Sequence, residues 1–132
     1  MTISEIEQIV KKTLSEKRYY HSLCVMEKCE EYAEIYRIDI ETAKKVGLAH
    51  DIAKEMPDDE KMNYARENGL SVIDVEQRHT GLLHAKIGAD IAKKRFGFTE
   101  KMCKAIRMHT TGGQDMELLD KILFVADATR QR

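Results

Sequence analysis

Apolar positions recur along this chain at helical spacing, and no stretch sustains the two-residue alternation of a half-buried strand. Ile3, Ile6, Val10 and Leu14 define a first helix, opened by Thr2 and Glu5 at the spacing of a capping box. Residues 18–36 carry a broad apolar face of Leu23, Val25, Met26, Cys29, Tyr32, Ala33 and Tyr36, which predicts a second. Asp39 is placed to cap a third, running through Ile40, Ala43 and Val46 to about Met56, where Pro57 would end it. A short fourth helix stops near Gly69, and Ser71 with Asp74 opens another turn or two. "LLHAKIGADIAKKRF" reads as a long helix closed by Gly97, and Thr99 caps "EKMCKAIRMH". After the loop "TTGGQD", a last helix covers "MELLDKILFVADATRQR". The expected fold is all-α, one domain over residues 1–132 with six or seven helices.

The pattern leaves four histidines and two aspartates on faces that should be turned inward. His50 lies over Ala43 and Val46, His21 shares a face with Cys24 and Val25, and His84 with Ile87 and Ile91. His109 follows Met102, Ala105 and Ile106, Asp127 follows Leu123 and Phe124, and Asp51 is adjacent to His50. A buried polar group without a partner costs about 1–3 kcal/mol. Six of them would exhaust a total stability of about 5–15 kcal/mol. They should therefore meet, and a metal ion is the natural meeting point. A mixed imidazole and carboxylate set suits iron, manganese, cobalt or zinc rather than magnesium or calcium.

Composition narrows the setting. With 42% apolar and 34% charged residues the chain suits a soluble domain without a membrane span. Its 22 basic and 23 acidic residues give a net charge of −1, which speaks against nucleic acid as a bulk partner. Cys24, Cys29 and Cys103 form no C-x-x-C pair, so reduced, buried thiols are expected. The N-terminus lacks the pattern of a signal peptide, and a cytoplasmic location is expected. Oligomeric state, a homodimer included, is open.

The order His21, His50–Asp51, His84, His109, Asp127 resembles the H…HD…H…H…D pattern of the HD-domain metal-dependent phosphohydrolases, which are all-helical proteins. Within that superfamily, "HSLCVMEKCEEYAE", "GLAHDIAKEM", "LLHAKIGA", "AIRMHTTGG" and "LDKILFVAD" look like the bacterial YqeK group. The resemblance spans about residues 18–127. It implies symmetrical hydrolysis of diadenosine tetraphosphate to two ADP and a bound divalent transition metal, iron first, as one or two ions. It implies His21, His50, Asp51 and Asp127 as metal ligands. His84 and His109 would either hold a second ion, with Asp51 bridging, or reach the substrate phosphates.

Several neighbours suit phosphate handling. Lys54 stands four residues after His50 and would share its helix face, Arg18 precedes His21 by three, and Thr110, Thr111 and the glycines of "HTTGG" offer hydroxyls and close backbone approach. Asp51 is expected to orient the attacking water, with Lys54 and Arg18 stabilising phosphoryl oxygens. Glu55 and His79 are expected at the surface. After Asp127 the YqeK pattern continues through "YIEPNR", where this chain reads "ATRQR", so the C-terminal part of the pattern is expected to be missing and the cleft altered, with Arg130 or Arg132 as a substitute phosphate contact. Two other readings fit the same residues: another HD-type nucleotidase or polyphosphate hydrolase, and a noncatalytic metal- or nucleotide-binding module.

Overall fold

Thr2 closes the expected capping box: its Oγ1 accepts the Glu5 amide at 3.1 Å, while Glu5 Oε1 accepts the Thr2 amide at 2.8 Å. Helix α1 (Ile3–Thr13) follows in the computed structural model, which describes residues 1–130. Ser15 caps α2 (Glu16–Tyr36) by accepting the Arg18 amide, and Arg37 closes it in the left-handed conformation. Asp39 caps α3 (Ile40–Ala49) through the Thr42 amide. Then come α4 (Asp58–Glu67), the single-turn α5 (Asp74–Arg78), a 3₁₀ turn (Thr80–Leu83) and α6 (His84–Phe96), which Gly97 ends with φ 70°. Thr99 caps α7 (Glu100–Met108), and α8 is Leu118–Arg130. The class is all-α as the pattern requires, with eight α-helices among the described residues rather than six or seven; α5 stands as a helix of its own. The side chain of Arg130 and the whole of Arg132 lie outside the described residues.

Two of the boundaries that differ from the sequence pattern bear on the site. Helix α3 stops at Ala49 instead of Met56, and residues 50–56 continue as tight i→i+3 turns, with the Ile52, Lys54 and Met56 amides bonded to the carbonyls of Ala49, Asp51 and Ala53. Lys54 therefore shares no helix face with His50. Helix α6 begins at His84, because the two leucines before it belong to the 3₁₀ turn.

Helices α2 and α3 form the centre of the bundle and pack closely. A Cβ at Gly47 would lie 3.0 Å from Cys29 Sγ and 3.0 Å from the Met26 backbone, so only glycine allows this approach. The main apolar cluster draws on α1, α2, α3, α6, α7 and α8, including Ile6, Val25, Val46, Leu48, Ile106 and Leu123. A smaller cluster of Ala53, Ala65, Leu83 and Ile87 sits under α4 and α6. His50 and Asp51 fall at the chain's passage from one cluster to the other, since Ala49 and Ile52 belong to the first and Ala53 to the second. All three cysteines are free and buried.

Candidate metal centre

Helix ends place the histidines. His50 is the residue after α3 and His109 the residue after α7, while His84 opens α6. Each folds its ring back on the carbonyl three residues earlier: His50 Nδ1 donates to Gly47 O at 2.7 Å, His109 Nδ1 to Ile106 O at 2.6 Å, and His84 Nδ1 to Gly81 O. A carbonyl can only accept, so Nδ1 carries the proton and Nε2 presents its lone pair. In all three rings that lone pair looks into a common space with His21 and two aspartates. Sequence reasoning missed these three carbonyls because backbone oxygens leave no trace in residue type.

The atoms converge tightly. His21 Nε2 and His50 Nε2 lie 2.9 and 3.2 Å from Asp127 Oδ1. Asp51 uses its two oxygens differently: Oδ2 is 3.5 Å from His50 Nε2 and 3.8 Å from His21 Nε2, whereas Oδ1 is 3.7 Å from both His84 Nε2 and His109 Nε2. His84 Nε2 and His109 Nε2 are 3.3 Å apart. Two lone pairs at that distance repel unless a cation lies between them. Ligands bonded at about 2.0–2.2 Å to one tetrahedral or octahedral ion sit about 3.0–3.4 Å apart, the spacing of the shorter contacts seen here. Two overlapping triads have all ligand atoms within 4.8 Å of one another: His21, His50 and Asp127, and His50, Asp51 and His109. The donor set fits a divalent transition ion.

Electrostatics points the same way. Burial works against ionising Asp51 and Asp127, yet His50, His109 and Arg18 around the first, and His21 and His50 around the second, hold both carboxyls well below the usual carboxylate range. Burial would lower His50, but Asp51 and Asp127 outweigh it and raise the imidazole above its ordinary value. The two ionised carboxylates thus draw positive charge to the centre, where Arg18 and His50 meet it. The C-terminal ends of α3 and α7, where His50 and His109 sit, add their partial negative charge. Cys29 does not compete as a ligand, because burial and the nearby Asp127 push its thiol up to about 12.

The remaining candidates lie around this centre. The Arg18 guanidinium is against Asp51 Oδ2 rather than turned out to solvent. Its Nε, and Ser22 Oγ one turn further along α2, are buried and find no partner among the described residues. Lys54 and Thr110 line a cavity of about 500 Å³ that also touches His84, and Thr111 is exposed on the loop beyond. Glu55 and His79 are exposed. Glu55 nonetheless has a structural task that its position in the sequence hid: Oε1 accepts the Ser15 amide at 2.6 Å across 40 residues, tying the turns after α3 to the start of α2.

Comparison with known proteins fits this geometry. The symmetrical bis(5'-nucleosyl)-tetraphosphatase of Halalkalibacterium halodurans is 40% identical over 121 residues, 91% of this chain and 64% of that protein. That of Bacillus subtilis is 36% identical over 130 residues, 96% of this chain and 68% of that protein. The chain thus spans about two thirds of the length of these relatives. A crystal structure from Clostridium acetobutylicum, described as a "predicted HD superfamily hydrolase involved in NAD metabolism", superposes with a TM-score of 0.93 at 37% identity, covering 99% of this chain and 70% of that one. The family model described as HD domain matches residues 18–131. The histidine and aspartate centre lies within that stretch, and the chain belongs to the HD domain family.

Proposed function

We propose that this chain is a metal-dependent phosphohydrolase that cleaves a nucleotide phosphoanhydride, with diadenosine tetraphosphate, cut symmetrically to two ADP, as substrate. The names of the relatives support the substrate. The observation that carries the chemistry is the convergence of Nε2 atoms, three of them oriented by backbone carbonyls, on two carboxylates that stay ionised.

His21, His50, Asp51 and Asp127 would hold a divalent ion, iron first, with manganese, cobalt and zinc compatible with the same donors. When bound, it supplies Lewis acidity and lowers the pKa of water toward neutrality. Asp51 turns one oxygen toward His21 and His50 and the other toward His84 and His109, so His84 and His109 would be placed to hold a second ion if one were bound. Arg18 keeps that carboxylate ionised and in place. Ionised Asp51 accepts a hydrogen bond from the attacking water and orients it. Lys54 and Thr110, at the cavity beside His84, offset and bond phosphoryl oxygens as charge moves to the leaving diphosphate.

Anaerobically purified protein supplied with iron, manganese or cobalt should convert diadenosine tetraphosphate to ADP alone. AMP plus ATP as products, or no hydrolysis of this or any other nucleotide, would overturn the reading. Asp51→Ala should lower turnover and metal content by more than a hundredfold, beyond the ~10–100-fold effect of losing an outer-shell partner.

A further inference from the structure

The cavity beside His84 is built from four separate stretches of chain: Lys54 in the turns after α3, Asp58 at the start of α4, Arg78 through Leu82 with His84, and Thr110 after α7. At about 500 Å³ it has room for part of a nucleotide, within the ~300–1,000 Å³ usual for small-molecule sites. Its walls hold two permanent cations, Lys54 and Arg78, and the imidazole of His79, against one carboxylate, Asp58. Among the described residues the side chains of Lys54, Arg78 and His79 make no hydrogen bond or ion pair, whereas Asp58 lies 3.9 Å from Lys61 Nζ. Unpaired bases directed at a shared cavity lower the energy of an anion placed among them.

Helix polarity divides the region in the same sense. The ends of α3 and α7 that meet the metal centre are C-terminal, while Asp58 and His84, which line the cavity, are the first residues of α4 and α6. A helix N-terminus favours negative charge, which at α4 is already supplied in part by Asp58, Asp59 and Glu60 of its first turn. The metal centre and the cavity therefore lie side by side and share His84.

The segment bearing Arg78 and His79 is held in place. Lys86 Nζ grips Glu76 Oε1 at 2.8 Å and Ser71 O at 2.7 Å, and Glu76 also accepts the Ile73 amide, which pins α5 to α6. The Leu82 amide bonds His79 O at 2.9 Å, and the next link is His84 on Gly81 O.

We infer that Arg78 and His79, with Lys54, form a polyphosphate subsite that takes the phosphates of one half of the substrate and so sets a preference for long phosphate chains over short ones. The assignment rests on the phosphohydrolase reading for its substrate class, but it is a binding claim that can be tested without turnover. Inorganic tripolyphosphate and orthophosphate would be titrated calorimetrically into the full chain, both chelator-treated and manganese-loaded. The wild type should bind tripolyphosphate at least tenfold more tightly than orthophosphate, and Arg78→Gln with His79→Asn should erase most of that difference while the manganese content stays the same.

Asp58→Asn removes the opposing carboxylate and should tighten tripolyphosphate binding several-fold, a gain that misfolding cannot produce. Equal affinity of wild type and double variant for tripolyphosphate, or no gain on Asp58→Asn, would overturn the subsite. Intact tripolyphosphate discrimination in a protein that hydrolyses nothing would overturn the proposed function and leave the subsite standing.

Discussion

Three imidazoles owe their orientation to main-chain oxygens, and for His84 burial outweighs that bond and gives the centre a characteristic response to acid. Burial, reinforced by the charges of His109 and Lys54, pushes His84 down to about 4 from an ordinary 6.5. Below pH 6.5 the unfolded chain takes up a proton at this position that the folded chain refuses. Metal-free protein should therefore lose stability as pH falls from 6.5 to 4, by up to about 1.4 kcal/mol per pH unit. His50, raised, contributes in full below pH 6.5 and loses its contribution only as pH rises through its folded value, so it does not mask this acid limb. Asp51 and Asp127, lowered, contribute in full above the unfolded carboxylate range and fade only in stronger acid. Urea unfolding in chelator at several pH values should show the limb in wild type and a flattened one in His84→Gln; equal slopes would contradict the assignment.

At the scale of elements, Gly47 decides how near α2 and α3 can come. Alanine there would gain about 1 kcal/mol of helix propensity. Against that stands the about 1–3 kcal/mol cost of overpacking, since the added methyl meets backbone at Met26, which cannot rotate away. Gly47→Ala should be destabilised by urea denaturation and should bind metal more weakly, because α3 carries His50; a stabilised variant would show that the helices can separate freely.

The same region marks where sequence pattern stops being informative. Helix caps at Thr2, Asp39 and Thr99 were legible because capping chemistry is local. So was the inward set of histidines, because it follows from apolar spacing. The end of α3 was not, since nothing before Pro57 breaks a helix. His50 Nδ1 takes Gly47 O, the carbonyl that the Asp51 amide would use in a continued helix, and Asp51 turns to Arg18 and the other rings. Those are tertiary partners. The cavity walls escaped for a similar reason: Arg78 and His79 fit no periodic pattern and gain meaning only from what faces them.

Across the whole molecule, residues on or just beyond α2, α3, α6, α7 and α8 meet at one centre, so an ion held there would brace five of the helices. A ligand that binds only the native state at one hundred times its dissociation constant adds about 2.7 kcal/mol. Calorimetric melting should shift upward with manganese or iron and return with chelator, and Asp51→Ala should show little shift; an unchanged melt in wild type would mean the donors do not act together. No helix among the described residues is long and apolar enough to cross a membrane, and the exposed aromatic and aliphatic residues are scattered over several elements.

The link from His79 through Gly81 to the ring of His84 joins the mouth of the cavity to the innermost donors. A pull on that short turn alters how strongly Gly81 polarises the His84 N–H, and with it the electron density on Nε2. Substituted with cobalt(II), whose visible absorption registers such changes, the protein should change colour when tripolyphosphate enters next door, so that the ion serves as an optical gauge of the neighbouring compartment.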